Sequence, residues 1–154
     1  MKLKATFLFF VLFLSSGSLT EIRNLYSKVA DSNTNQQKFI EYIQKTETKK
    51  PVFQAYKGAS LVLQSKTTTD RKTKKELFVK GAELIEDALR NDPENIEIRL
   101  IRLSIQENIP KALKYSSNIE EDVALIQNFI STTKEDTELK LYVQQYIQQS
   151  KSFK

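Results

Sequence analysis

The chain has 154 residues, a formal charge of +5, and neither cysteine nor histidine. It therefore lacks the usual base near neutral pH, the commonest transition-metal ligand, the thiol nucleophile and any disulfide. Three glycines and three prolines are few for an all-β or loop-rich protein, which needs turn residues at short intervals, whereas abundant Leu, Ile, Lys, Glu and Gln suit helices.

In chain order, Met1-Lys-Leu-Lys4 is a positive n-region, Ala5 to Leu14 is apolar but for Thr6, and Ser15-Ser-Gly-Ser18 offers small residues for cleavage. Residues 1–18 read as a secretory signal peptide, because the apolar run falls well short of the ~20 residues that cross a bilayer. Without a cysteine at the cleavage point the mature chain is expected to be periplasmic or secreted and not a lipoprotein. Loss of Lys2 and Lys4 lowers the charge to +3, too small an excess to imply a polyanion partner. Residues 19–150 then fit a single domain, with 151–154 a flexible tail.

Ile22, Leu25, Tyr26 and Val29 follow the three-four spacing of an amphipathic helix, predicted over Glu21 to Ala30 with Thr20 as N-cap. Asp31 to Asn35 stops it, since these short polar side chains compete for backbone hydrogen bonds. Phe39, Ile40, Tyr42 and Ile43 define a second helix that fades by Lys50. Pro51 suits the first position of a third, ending near Lys66, with Phe53, Tyr56, Ser60 and Leu63 in line. After the polar loop Thr67–Thr73, with Asp70 a candidate cap, a fourth helix runs from about Lys72 to Asn91 and closes at Asp92-Pro93.

The next helix, about residues 94–107, organises the rest. At about 100° per residue, Ile96, Leu100 and Leu103 fall on one face, and Ile98, Ile101 and Ile105 fall almost opposite. A helix with two apolar stripes must be covered from both sides, with helix four and the C-terminal pair as the expected covers. Beyond Asn108-Ile-Pro110 a short turn spans Lys111 to Tyr115. Ser117 and Glu120 form a capping-box pattern, with Glu120, Glu121 and Asp122 in a first turn that favours negative charge. Val123, Ile126, Phe129 and Ile130 mark the buried stripe of that helix. A last helix, Asp136 to Gln149, buries Leu139, Tyr142, Val143, Tyr146 and Ile147.

Gly81, Ile85, Ala88 and Pro93 stand at the spacing of a tetratricopeptide repeat: a small residue, a large apolar one four later, Ala after three more and Pro five beyond. The stretch 81–104 resembles the junction between two such repeats. The match covers about one repeat, the Thr67–Thr73 loop is an insertion, and no second regular period follows. Asp92 to Pro110 also resembles uncharacterised small exported bacterial proteins. The resemblance implies an all-α fold of stacked antiparallel hairpins, six to seven helices in all, in a degenerate tetratricopeptide-like arrangement.

No residue set specifies a reaction, so no catalytic residue, metal ligand or cofactor is expected. Glu83, Glu86 and Asp87, and Glu120 to Asp122, lie at the spacing of solvated helix faces; a small periplasmic hydrolase built on such carboxylates is the enzyme alternative. Lys66, Arg71, Lys72, Lys74, Lys75 and Lys80 read first as a solvated loop and helix start. Contact with an anionic membrane surface through this segment is the alternative. Nucleic acid is a poor partner for an exported chain. Tyr142, Tyr146 and Phe153 either pack or mark a contact surface.

Arg99 and Arg102, with Gln106, lie on a polar arc between the two apolar faces. Neither arginine has an acid three or four positions away on its own helix, so their partners come from elsewhere. Either acids of helix four or the C-terminal helices pair with them, or the arc lines a groove and binds a carboxylate or phosphate in bidentate fashion. Together these features predict a non-catalytic binding or scaffold protein with a protein or peptide partner, since stacked helical hairpins present grooves.

Overall fold

The structure is a computed structural model that describes residues 18–135 and 137–154; the signal-peptide reading of 1–18 lies outside this range except at Ser18. Among the described residues there are seven α-helices and no strand: α1 (Leu19–Tyr26), α2 (Asn33–Lys45), α3 (Pro51–Thr67), α4 (Arg71–Asn91), α5 (Ile96–Glu107), α6 (Ile119–Thr132) and α7 (Glu138–Gln149), with a 3-10 turn at Lys111–Leu113. The protein is all-α, and each helix packs on the next in the chain. None of these helices is long and apolar enough to cross a membrane.

Capping chemistry explains most helix boundaries. Pro51 opens α3, and the Asp70 carboxylate accepts from Thr73 N–H at 2.7 Å to open α4, both as expected. Helix α1 instead begins at Leu19, because the Ser18 hydroxyl and not Thr20 caps it. It ends at Tyr26, where Lys28 and Val29 bond back to the carbonyls of Leu25 and Tyr26 and tighten the last turn. Helix α7 starts at Glu138 on a Thr137 cap. The Ser117–Glu120 capping box does not form: Asn118 is the N-cap, without a side-chain bond to the helix backbone, and the Ser117 hydroxyl donates to Asn118 Oδ1.

Helix α5 lies between two separate cores. Ile98, Ile101 and Ile105 join a cluster with residues of α1 to α4, including Ile22, Phe39, Phe53, Val62 and Ile85. Leu100 and Leu103, with Ile96 at the margin, join a second cluster with Ile126, Tyr142 and Val143. The two predicted faces are thus both buried, with α3 as well as α4 covering the first. In that cluster Tyr26, Phe39 and Tyr56 meet with centroids 5.1 to 6.2 Å apart in tilted or edge-on contacts, the arrangement ring quadrupoles favour.

The most extensive helix–helix contact, α3 on α4, closes around two glycines. A Cβ at Gly58 would stand 2.5 Å from the Gly81 carbonyl oxygen, and one at Gly81 would stand 2.6 Å from that of Gly58. The backbones approach too closely for any side chain between them. At the other end of the chain, residues 151–154 are tied back and not loose: Ser152 N–H donates to Glu107 at 2.8 Å, and Phe153 packs against the second cluster.

Candidate functional site

Between its two apolar faces α5 carries two polar strips, and each anchors a buried network. The first is the arc of Arg99, Arg102 and Gln106, all buried. Arg102 donates from Nε and Nη2 to Asp122 at 2.8 and 2.7 Å, and from Nη1 to Glu86 at 3.0 Å. Arg99 donates from Nη1 to Asp122 and Glu121 at 3.0 and 3.1 Å, and from Nε and Nη2 to the Pro93 carbonyl. The carboxylates come from α4 and from the first turn of α6, the elements named by the pairing alternative. Burial works against the Arg102 charge, but Asp122 and Glu86 outweigh it and raise its pKa. The bond from Arg99 holds Glu121 below the usual carboxylate range. Tyr115 completes the network by donating to Glu86 at 2.6 Å.

Gln106 is the exception on this strip. Its Nε2 reaches Asn118 Oδ1 only at 3.5 Å, and its buried Oε1 has no partner among the described residues. An unsatisfied buried acceptor carries its full desolvation penalty, about 1–3 kcal/mol. Gln106→Leu is therefore expected to hold or raise stability in urea denaturation, by up to about 1 kcal/mol; a loss above about 1 kcal/mol would show that the amide is needed.

The second strip, Glu97 with Ser104, was not singled out from the sequence. Glu97 is buried and accepts a bidentate pair from Arg23 of α1, at 2.9 and 2.6 Å, together with the Tyr56 hydroxyl at 2.7 Å. The Tyr142 hydroxyl lies 3.5 Å from that of Tyr56, and the Arg23 guanidinium stands over the Tyr142 ring at 5.9 Å. Burial raises the pKa of both tyrosines. Seven residues beyond Glu97 on the strip, Ser104 hydrogen-bonds the Tyr26 hydroxyl at 2.7 Å; burial pushes Tyr26 up to about 12 despite that bond. The signal for this strip was present in the helical projection, where Glu97 and Ser104 share an arc opposite the arginines.

Past Ser104 the second strip opens on a cleft of about 1020 Å³ between the α1–α2 turn and α7. Tyr26, Tyr142 and Tyr146 contribute aromatic surface, and Asn33, Asn108, Gln145, Gln148 and Gln149 contribute side-chain amides. Glu107 sits at one side, accepting from Tyr146, Ser150 and Ser152. Burial alone would raise its pKa, but these bonds outweigh it and hold the carboxyl below its ordinary value. Lys66 closes one end by donating to the Asn108 carbonyl at 3.3 Å, and desolvation lowers its pKa.

No family model, curated protein or solved structure matches this chain. The structure brings Arg99, Arg102 and Gln106 together on one side of α5, with both guanidiniums engaged inside the fold. Gln106 lines a cleft of about 560 Å³ with Tyr115, Ser117 and Lys151, and the cleft of about 1020 Å³ lies past Ser104 on the opposite strip. Of the aromatic residues weighed as contact candidates, Tyr142 and Tyr146 line the cleft, whereas Phe153 packs into the second core.

Proposed function

We propose that this chain is an exported, non-catalytic binding protein, a degenerate tetratricopeptide-like stack that holds an extended peptide segment of a partner protein in the cleft between the α1–α2 turn and α7. The observation that carries this reading is the set of uncommitted amides along the cleft. Asn33, Gln145, Gln148 and Gln149 line it, and their side-chain amides make no hydrogen bond to other described residues. A primary amide offers donors and an acceptor together, which matches the N–H and C=O groups an extended backbone leaves unpaired. The tyrosines beside them supply flat apolar area with a polar tip, the usual chemistry of a contact surface.

The tetratricopeptide part of the proposal is supported by Gly81, Ile85 and Ala88, which are all buried along the line where α4 meets α3. Export is supported by the reading of residues 1–18. Against a ligand-binding role for Arg99 and Arg102 stands the engagement of both guanidiniums by Asp122, Glu121, Glu86 and Pro93.

Affinity capture from envelope extracts, with wild type and with Gln145→Ala/Gln149→Ala, tests the proposal. At about 0.5–1.5 kcal/mol per lost hydrogen bond, the variant is expected to bind the captured protein on the order of tenfold more weakly, with unchanged far-UV circular dichroism. Equal recovery by both would sink the cleft as the binding site.

A further inference from the structure

The basic segment named from the sequence divides in two in the fold. Lys66 is committed to the Asn108 carbonyl at the end of the cleft. The other five cations, Arg71, Lys72, Lys74, Lys75 and Lys80, lie on the exposed first half of α4. Lys72 approaches Glu76 at 4.0 Å between two exposed side chains, while Arg71, Lys74, Lys75 and Lys80 have no ion pair among the described residues. The contrast is with Arg23, Arg99 and Arg102, each of which the fold supplies with carboxylates.

This placement works against the helix itself. The N-terminal end of a helix carries partial positive charge and favours acids, yet beyond the capping Asp70 the first turn of α4 has no acid and begins Arg71-Lys72. Folding does not account for such a concentration of charge; an anionic surface laid against it does. Val79, 42 % exposed, is one of the few large apolar side chains the fold leaves in water. It stands four residues from Lys75 and seven from Lys72, on one stripe of the helix.

We propose that the first half of α4 is a docking surface for an anionic lipid membrane. Mostly lysines, compact charges on flexible stems, suit mobile headgroups, and one apolar side chain among them can enter the interface. Single-stranded nucleic acid would call for aromatic platforms on which bases stack, and the aromatic residue of this half-helix, Phe78, is turned to the core, edge-on to Tyr115 at 6.2 Å. These residues are distinct from those of the cleft, so this surface and the peptide site stand or fall separately.

Each basic residue near an anionic membrane contributes about fivefold in affinity. The full chain is expected to sediment with vesicles of phosphatidylcholine containing phosphatidylglycerol, and not with phosphatidylcholine alone. Binding should vanish at about 1 M salt, where the Debye length is about 3 Å. Arg71→Gln/Lys72→Gln/Lys74→Gln/Lys75→Gln should weaken it on the order of several hundredfold while melting at the same or a higher temperature. If the fourfold variant does not fold, Lys74→Gln/Lys75→Gln decides, with a loss of about 25-fold. Undiminished vesicle binding by these variants, equal binding to neutral vesicles, or binding to soluble polyphosphate without binding to vesicles would each overturn the proposal, the last in favour of an acidic polymer.

Discussion

Asp122→Ala is expected to cost about 3–5 kcal/mol, the range for breaking a buried ion pair from one side. Asp122 is fully buried and accepts three charged hydrogen bonds, two from Arg102 and one from Arg99. Its removal leaves two buried guanidiniums sharing only Glu121, Glu86 and a carbonyl. Because a domain of this size has about 5–15 kcal/mol in hand, the variant should stand close to unfolding. Urea denaturation followed by circular dichroism measures the loss, with an unchanged m-value marking a change in stability and not in mechanism. Glu121→Ala is the control. Its side chain is 55 % exposed, and exposed pairs contribute about 0–1 kcal/mol. A loss below about 1 kcal/mol at Asp122 would mean that the arginines do not depend on it and are available to an outside anion.

Gly58→Ala is expected to destabilise, although alanine is the better helix former by about 1 kcal/mol. The added methyl would meet the Gly81 carbonyl oxygen at 2.5 Å and Ile85 Cγ1 at 2.8 Å. The first of these is backbone and cannot rotate aside, so α3 and α4 must part, reopening the largest helix contact in the fold. Overpacking costs typically 1–3 kcal/mol and occasionally more; a rigid neighbour puts this site at the upper end. The net loss should be about 2 kcal/mol or more, a fall in Tm on the order of 10 °C in a thermal melt. Gly81→Ala should behave alike, since it meets the Gly58 carbonyl. A rise in Tm for either variant would show that the helices are not in contact there.

What the sequence made legible follows from the range of the interactions. The two-faced character of α5 depends only on residues within one helix, and the projection assigned Ile98, Ile101 and Ile105 to one core and Leu100 and Leu103 to the other before any neighbour was known. Helix ends were legible to within a few residues, because caps compete: Ser18 displaced Thr20, and the Ser117 hydroxyl turned to Asn118 in place of its helix. That Arg99 and Arg102 need partners from elsewhere was also legible. Which acids serve them was not, since Asp122 sits among first-turn carboxylates that look alike to the helix dipole, and only packing buries this one. The Glu97 network and the cleft were missed for a related reason. Arg23, Tyr56, Glu97 and Tyr142 come from four helices, and no local period links them.

Arg23 and Glu97 are separated by 74 positions in the chain, and Tyr26 and Ser104 by 78. A chain synthesised N-terminus first therefore presents α1, α2 and α3 long before Glu97 and Glu138, the acids that pair with Arg23, have been made. Until α5 arrives, the inner surface of those helices has a gap where Ile98, Ile101 and Ile105 belong, and a cation at its edge without a counterion. Contacts of such separation are formed late and slowly, and exposed apolar surface in the interval invites aggregation. The central helix thus sets the timing of folding as well as its geometry: the N-terminal half waits, incomplete, for residues 96 to 107.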